Sequence, residues 1–507
     1  MRKTLAKAVF ILTIFAVVDR LLGFGFKIFL ARELGPAAIG IYQVALSLFF
    51  VFLTLTTSGI PLIVSKLTAI QKNKGNFDSQ HSTVTAAFIS GLVTSVIIAA
   101  IFLIFRNQLA NVFASPASMT LVLLLLPAVI FSGIFSAFRG YLWGHEKYIT
   151  ISVIELCEQI TRIGLCVLLF SLGFDRLRMT AVSLSAAVGL TAVLCIAAYI
   201  KMKGKLKNPK GHFKPLLKQS VPITMIRASN TLVGSLIAIA VPFLLMQQGL
   251  TSEESMYIFG ASVGMALPLL YIPIVAVGSL SYVMIPTLAR SYASKDMKTV
   301  QKQVTNAIAF AIVVASFFIP ILAGLGENLG VFIYGAENAL AGRFVRLSAW
   351  ILIPMAIESI TSSMMNSLDL QKHSFFNYLI GAGVMFALMF SFIRGFRIEI
   401  FMIGMFLSLT ISSILDLITI RRKVGIKLNI VPTLIKCLVL CFPTLFLVRS
   451  LHSLLTPIPM FLNLGISGLV GFFFMGALMM VFSVYDFGFR FKKKPFGKLL
   501  LKTKKKY

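Results

Sequence analysis

Acid is scarce in this sequence. Its 507 residues include 17 Asp and Glu against 47 Lys and Arg, and charge of both signs amounts to 13%. A soluble domain carries about 25% charged residues. Cysteine is also sparse: Cys157, Cys166, Cys195, Cys437 and Cys441 all fall in apolar runs. That placement excludes a disulfide framework and a zinc site. His81, His145, His212, His373 and His452 sit in connecting stretches without metal-ligand spacing. His-Glu-x-x-His, a phosphate-binding glycine loop and Gly-x-Ser-x-Gly are all missing. The sequence therefore offers no catalytic constellation, and neither a metal site nor a bound cofactor is expected. What is present is apolar: 58% of residues are hydrophobic and the mean hydropathy is +0.92. These values exclude a water-soluble enzyme and a disordered chain, and predict an all-α polytopic membrane protein.

A spanning helix needs about 20 mostly apolar residues. Fourteen stretches qualify: 8–30, 41–65, 83–105, 119–138, 148–172, 180–200, 219–246, 257–284, 303–325, 346–368, 374–393, 399–420, 431–450 and 460–484. The first is too long and too charged (Asp19, Arg20, Lys27) for a cleaved leader. With fourteen spans both termini share one face. The segments on that face hold 33 of the 47 basic residues, against nine in the opposite loops. By the positive-inside rule the termini are cytoplasmic. The formal charge of +30 thus reads as orientation, and no nucleic-acid partner is needed. The basic loop Lys201–Lys218 and tail Lys492–Lys506 suit anionic inner-leaflet lipid.

The two halves echo each other. Ile60-Pro61 ends span 2 and Ile285-Pro286 ends span 8; Pro127 in span 4 matches Pro354 in span 10. Both offsets are close to 226 residues, which suggests a duplicated unit of six spans. The expected division is 1–218 as an N-lobe, 219–425 as a C-lobe, 426–490 as an appendix of spans 13 and 14, and 491–507 as a basic tail.

Ionisable residues in mid-span cost about 2.5–3.5 kcal/mol each on insertion scales, so they mark cavities or helix contacts. Arg20 and Lys27 lie two turns apart on one face of span 1, with Gly23 and Gly25 between them. Glu155, Glu158 and Arg162 form one stripe in span 5, and Glu158 is placed to pair with Arg162. Span 7 holds Arg227 with no acid in its own helix. Span 10 carries Glu358, and span 12 carries Asp416. Plain structural roles stand beside these. Glu158 and Arg162 could be a neutralised packing pair. Arg20 could meet Asp19 or the span-5 stripe. Lys27 and Lys436 could snorkel to an interface. Gly260-x-x-x-Gly264 reads as helix packing.

Five stretches resemble a known family: Leu53–Lys66, Phe138–Gly144, Ile154–Arg162, Gly264–Pro273 and Ile285–Arg290. They are similar to the stage V sporulation protein B-like polysaccharide-biosynthesis proteins. These belong to the multidrug/oligosaccharidyl-lipid/polysaccharide exporter superfamily. The resemblance covers about 1–425. It implies two six-helix lobes in a V around a central cavity, plus two extra helices. It implies a flippase for undecaprenyl-diphosphate-linked sugars, most often lipid II, in peptidoglycan, spore cortex or polysaccharide synthesis, beside cell-wall or sporulation machinery. The cationic cavity of the family would correspond to Arg20, Lys27 and Arg227. Two departures bear on the substrate: Lys27 stands where Arg is commoner, and span 2 has no mid-membrane Arg.

The expectation is alternating access. A diphosphate would bind near Arg20, Lys27 and Arg227, with Arg162 oriented by Glu158. Asp19, Glu155, Glu158, Glu358 and Asp416 are candidate cavity acids or ion-coupling sites, with the coupling cation open. A cation-coupled multidrug exporter is the alternative, against which the basic residues count. A membrane glycosyltransferase would need a catalytic acid or base on a long external loop, and the outer loops are short.

Overall fold

The computed structural model describes residues 2–426 and 429–484. The basic tail expected at 491–507, including Lys492–Lys506, lies outside the described residues. Among the described residues all regular structure is helical.

Twelve helical segments are long and apolar enough to cross a membrane. One of them contains two spans, because the helix Arg2–Thr57 is broken at Gly35 (φ 73°, ψ 171°). That backbone conformation favours glycine, and Pro36 starts the next helix where its missing N–H costs nothing. A further helix, Tyr148–Ser171, is apolar enough on average but stands outside these twelve because it carries three charged residues, Glu155, Glu158 and Arg162. Adding both gives fourteen spans, as the apolar runs predict. Span 2 breaks again at Ser58-Gly59 and continues as Ile60–Asn73. Spans 3 to 7 are Phe77–Ala110, Pro116–Gly144, Tyr148–Ser171, Arg176–Lys201 and Phe213–Met246. Span 8 runs through Ser252–Phe259, a π-helical turn Gly260–Ala266, and Leu267–Ala293. Span 9 is Met297–Tyr334, and span 10 ends in Leu352–Ser367. Asp296 caps span 9 by accepting from Thr299 N–H at 3.1 Å. Hydrogen bonds from Thr299 hold its carboxyl below the usual carboxylate range.

The run Gln371–Val424 reverses within itself. Asn377 bonds Asp416 at 2.8 Å, and Gly381 meets Ser408 and Ser412. Spans 11 and 12 are therefore an antiparallel pair. Spans 13 (Val431–Leu454) and 14 (Met460–Val481) pack on each other and on span 9. Lys436 snorkels to the Phe482 carbonyl, 3.3 Å away, as its place near a span end suggests.

Span 4 packs on spans 1, 2, 3 and 6; span 9 packs on spans 8, 10, 13 and 14. Between the halves, spans 1 and 2 meet spans 7 and 8. The halves approach closely at both faces. Near the face of the termini a Cβ on Gly59 would stand 2.3 Å from the Ser220 carbonyl oxygen, and Lys66 Nζ donates to Gln219 Oε1 at 3.1 Å. Further ties lie at the opposite face. Arg32 Nε donates to the Ile333 carbonyl at 2.5 Å and its Nη2 to the Phe332 carbonyl at 2.7 Å. Ser252 donates to the Ala114 carbonyl at 2.5 Å. A Cβ on Gly260 would stand 1.8 Å from the Pro36 carbonyl oxygen and 2.7 Å from Gly40 N. Gly260-x-x-x-Gly264 is thus a packing motif between the halves. Gly260→Ala is expected to force spans 2 and 8 apart at this face. Spin labels on Val112 and Glu253 would then report a longer distance in a large fraction of molecules. An unchanged distance distribution would show that Gly260 does not set the approach.

The repeat is uneven in local geometry. Pro61 follows the break at Ser58-Gly59, whereas Pro286 lies inside the continuous helix Leu267–Ala293. Pro127 is inside a helix, while Pro354 follows a 3₁₀ turn.

Candidate functional site

Two neighbouring cavities lie where the halves meet. One, of about 180 Å³, is lined by Lys27, Tyr42, Gln43, Gly264 and Tyr271 among others. The other, of about 250 Å³, is lined by Gln43, Ser47, Phe50, Thr231 and Ser235 among others. Gln43 and Val263 line both.

Local chain features build this site. Lys27 and Gln43 each lie eight residues from Gly35, one on either side, so they stand about 12 Å below the turn at a common level. Span 8 forms the facing wall with its π-helical turn, a feature common at functional sites. Pro268 has no N–H to return to the turn before it, at Val263 and Gly264. Spans 2 and 7 are joined by paired hydroxyls: Ser47 and Ser235 at 3.3 Å, and Thr54 and Thr231 at 3.2 Å.

The basic candidates separate. Lys27 lines the smaller cavity. Arg20 is exposed two turns away on the same face and has no ion pair among the described residues. Asp19 beside it is half-buried and does not pair with it. Arg227 reaches across to span 2, where its Nη1 donates to the Ser58 carbonyl at 3.1 Å. The break at Ser58-Gly59 explains this contact. It takes the Ser58 carbonyl out of the helical ladder and leaves it for an outside donor. Thr231, one turn beyond Arg227, lines the larger cavity.

Arg162 departs from expectation. It does not pair with Glu158. Its Nη2 donates to Gln159, and its guanidinium lies 5.2 Å from the Phe26 ring centroid in span 1. Glu158 turns the other way and accepts from Thr191 of span 6 at 2.7 Å. The reason is tertiary: span 5 is wedged between spans 1 and 6, and each side chain follows its own neighbour. Glu155 forms an ion pair with Arg139 of span 4, whose guanidinium also lies 4.8 Å from the Trp143 ring centroid. Asp19 and Glu158 are within electrostatic reach of Glu155. These acids therefore belong to contacts within the first half.

The remaining acids lie in the second half. Asp416 is 2% exposed and accepts from Asn377 at 2.8 Å and Ser374 at 3.2 Å. Glu358 is half-buried and within electrostatic reach of Asp416 and of Tyr271. No cluster of three metal-ligating side chains occurs among the described residues. The five cysteines are free.

Sequence reasoning passed over several residues of the site. Arg139 looked like a basic-face residue because it follows an apolar run, yet it lies inside Pro116–Gly144. Tyr42, Gln43 and Tyr271 carry no charge at neutral pH, so a search for ionisable groups in spans did not raise them. The signal was there: an amide in an apolar run is unusual at membrane depth.

This architecture is that of a polytopic all-α membrane protein with a cleft between two halves. The solved structures it resembles agree. "Lipid II flippase MurJ, inward closed conformation" superimposes with a TM-score of 0.71 at 15% identity, covering 94% of this chain and 99% of that one. The inward-facing form of a multidrug resistance MATE family transporter of the MOP superfamily gives a TM-score of 0.68 at 14% identity, covering 80% and 94%. The chain belongs to the polysaccharide biosynthesis protein family, whose profile matches residues 5–292. It is 26% identical to stage V sporulation protein B of Bacillus subtilis (strain 168) over 404 residues, 77% of this chain and 78% of that protein. It is 22% identical to the lipid II flippase MurJ of the same organism over 483 residues, 85% of each.

Proposed function

We propose that this protein is a flippase that carries an undecaprenyl-diphosphate-linked cell-wall precursor, lipid II or a related lipid-linked oligosaccharide, from the inner to the outer leaflet. The observation that carries this reading is a set of basic side chains in the spans without acidic partners among the described residues, one of which lines a cavity between the halves. Lys27 lines a cavity between the halves, and Arg20 and Arg227 enter no ion pair among the described residues. Acids do occur at membrane depth, but Glu155 is already paired and Asp416 is already hydrogen-bonded. An anionic head group is the natural partner for the unmatched cations.

In this reading 1–218 and 219–425 move as two lobes, with spans 13 and 14 as an appendix and both termini cytoplasmic. Contacts at the opposite face, Arg32 with span 9 and Gly260 with Pro36 and Gly40, close the cleft outward. The head group enters from the cytoplasmic side when the contacts of Gly59 with Ser220 and of Lys66 with Gln219 part, meets Arg20, then Lys27, and leaves when the outer contacts part. Arg227 supports the break in span 2 and offers its remaining donors to the ligand. A negative cell interior favours outward movement of an anion by about 2.3 kcal/mol per charge per 100 mV, in proportion to the field crossed. Glu358 and Asp416 supply a place for a coupling cation.

The test is reconstitution. Proteoliposomes bearing the full chain should expose lipid II added to the inner leaflet to an external probe, and should not accumulate a cationic dye. Expression should also rescue a strain lacking its lipid II flippase. Dye transport without lipid movement would replace this reading by the multidrug-exporter one.

A further inference from the structure

We propose that Gln43 and the larger cavity form a subsite for the first sugar ring of the lipid-linked substrate, with the diphosphate held in the adjoining Lys27 cavity. This rests on the flippase reading and adds to it which part of the head group lies where.

The first observation is Gln43 itself. It sits at the junction of the two cavities, half-buried, and its amide has no hydrogen-bond partner among the described residues. An unmatched amide at membrane depth is costly. Its neighbours in the cleft, Ser47 and Thr231, are satisfied at 2.7 and 3.0 Å by backbone carbonyls. Gln43, which lines both cavities, is left with two donors and an acceptor for whatever occupies them, beside the unpartnered hydroxyls of Tyr42 and Tyr271 in the smaller one. That set matches the alternating donors and acceptors of a pyranose ring or its acetamido group.

The second observation is the difference between the cavities. The smaller is lined by Lys27. The larger has no charged side chain in its lining, only hydroxyls, small residues and apolar groups such as Phe50. Hydroxyls with an aromatic wall suit a neutral sugar, and an ammonium suits phosphate. The third is size. About 250 Å³ is many times the roughly 10–15 Å³ that one water needs on the same measure, so a ring can enter. The fourth is the facing wall. Val263 also lines both cavities, and Pro268 cannot donate back to the turn at Val263 and Gly264.

The experiment compares two probes on the full chain in nanodiscs: polyprenyl diphosphate, and the same lipid bearing one N-acetylhexosamine. Wild type should bind the sugar-bearing lipid more tightly. Gln43→Leu and Gln43→Met should weaken that binding at least tenfold while the bare diphosphate binds within about twofold of wild type, which also shows that the variants fold. Lys27→Ala should weaken both probes alike. Equal binding of both probes by wild type, or a Gln43 effect that is absent or equal for the two, would overturn the subsite. Wild-type failure to bind either probe would instead overturn the flippase reading on which it stands.

Discussion

Alanine at Arg20 or at Arg227 is expected to cut lipid II translocation by about tenfold to a hundredfold, since a hydrogen bond to a charged group contributes roughly 1.5–3 kcal/mol. The double variant should fall below detection. The two differ in what they lose. Arg20 is exposed and unpaired, so its removal should leave folding untouched and act on the ligand alone. Arg227 also holds the Ser58 carbonyl, so its loss should loosen the break between the two parts of span 2. Lysine at position 227 should restore charge but not the forked geometry, and recover only part of the rate. The readout is accessibility of lipid II in proteoliposomes, normalised to folded protein by gel filtration. Normal rates in both single variants would remove the cationic cleft from the mechanism.

Leucine at Arg139 should destabilise the first half. It leaves the Glu155 carboxylate without its ion pair inside the helix bundle. Breaking a fully buried pair costs about 3–5 kcal/mol. Here the side chains are 32% and 42% exposed, so about 1–3 kcal/mol is the better figure after solvent screening. Adding Glu155→Gln should recover most of the loss, because the penalty lies in the orphaned charge rather than in the missing contact. Thermal melting in detergent of the two single variants and the double one gives the coupling directly. A double variant as unstable as Arg139→Leu would mean that Arg139 acts through Trp143 and packing instead.

How far such features can be read in advance depends on their range. The spans follow from runs of about 20 apolar residues, and the turn at Gly35-Pro36 uses residues suited to it. The interruption of Tyr148–Ser171 by charge was equally plain. Partner choice was not. The four-residue spacing of Glu158 and Arg162 puts them on one stripe, but spans 1 and 6 flank that stripe and draw the side chains apart. The proline correspondence between halves also promised more than it delivered. Ser58-Gly59 lets the chain break before Pro61, while Val283-Met284 before Pro286 does not. For the site, Lys27 stood out as a charge, but Gln43 is neutral and its importance arises only when span 8 is brought opposite it.

The tie made by Arg32 ends on two main-chain oxygens of span 9. Those acceptors belong to any residue with a carbonyl, so drift in the side chains of Phe332 and Ile333 leaves them in place. They carry no proton that titrates and no charge that salt can screen. Opening at that face is therefore indifferent, through this contact, to the acidity of the medium that bathes it. Its strength is inherited through a single codon, that of the arginine.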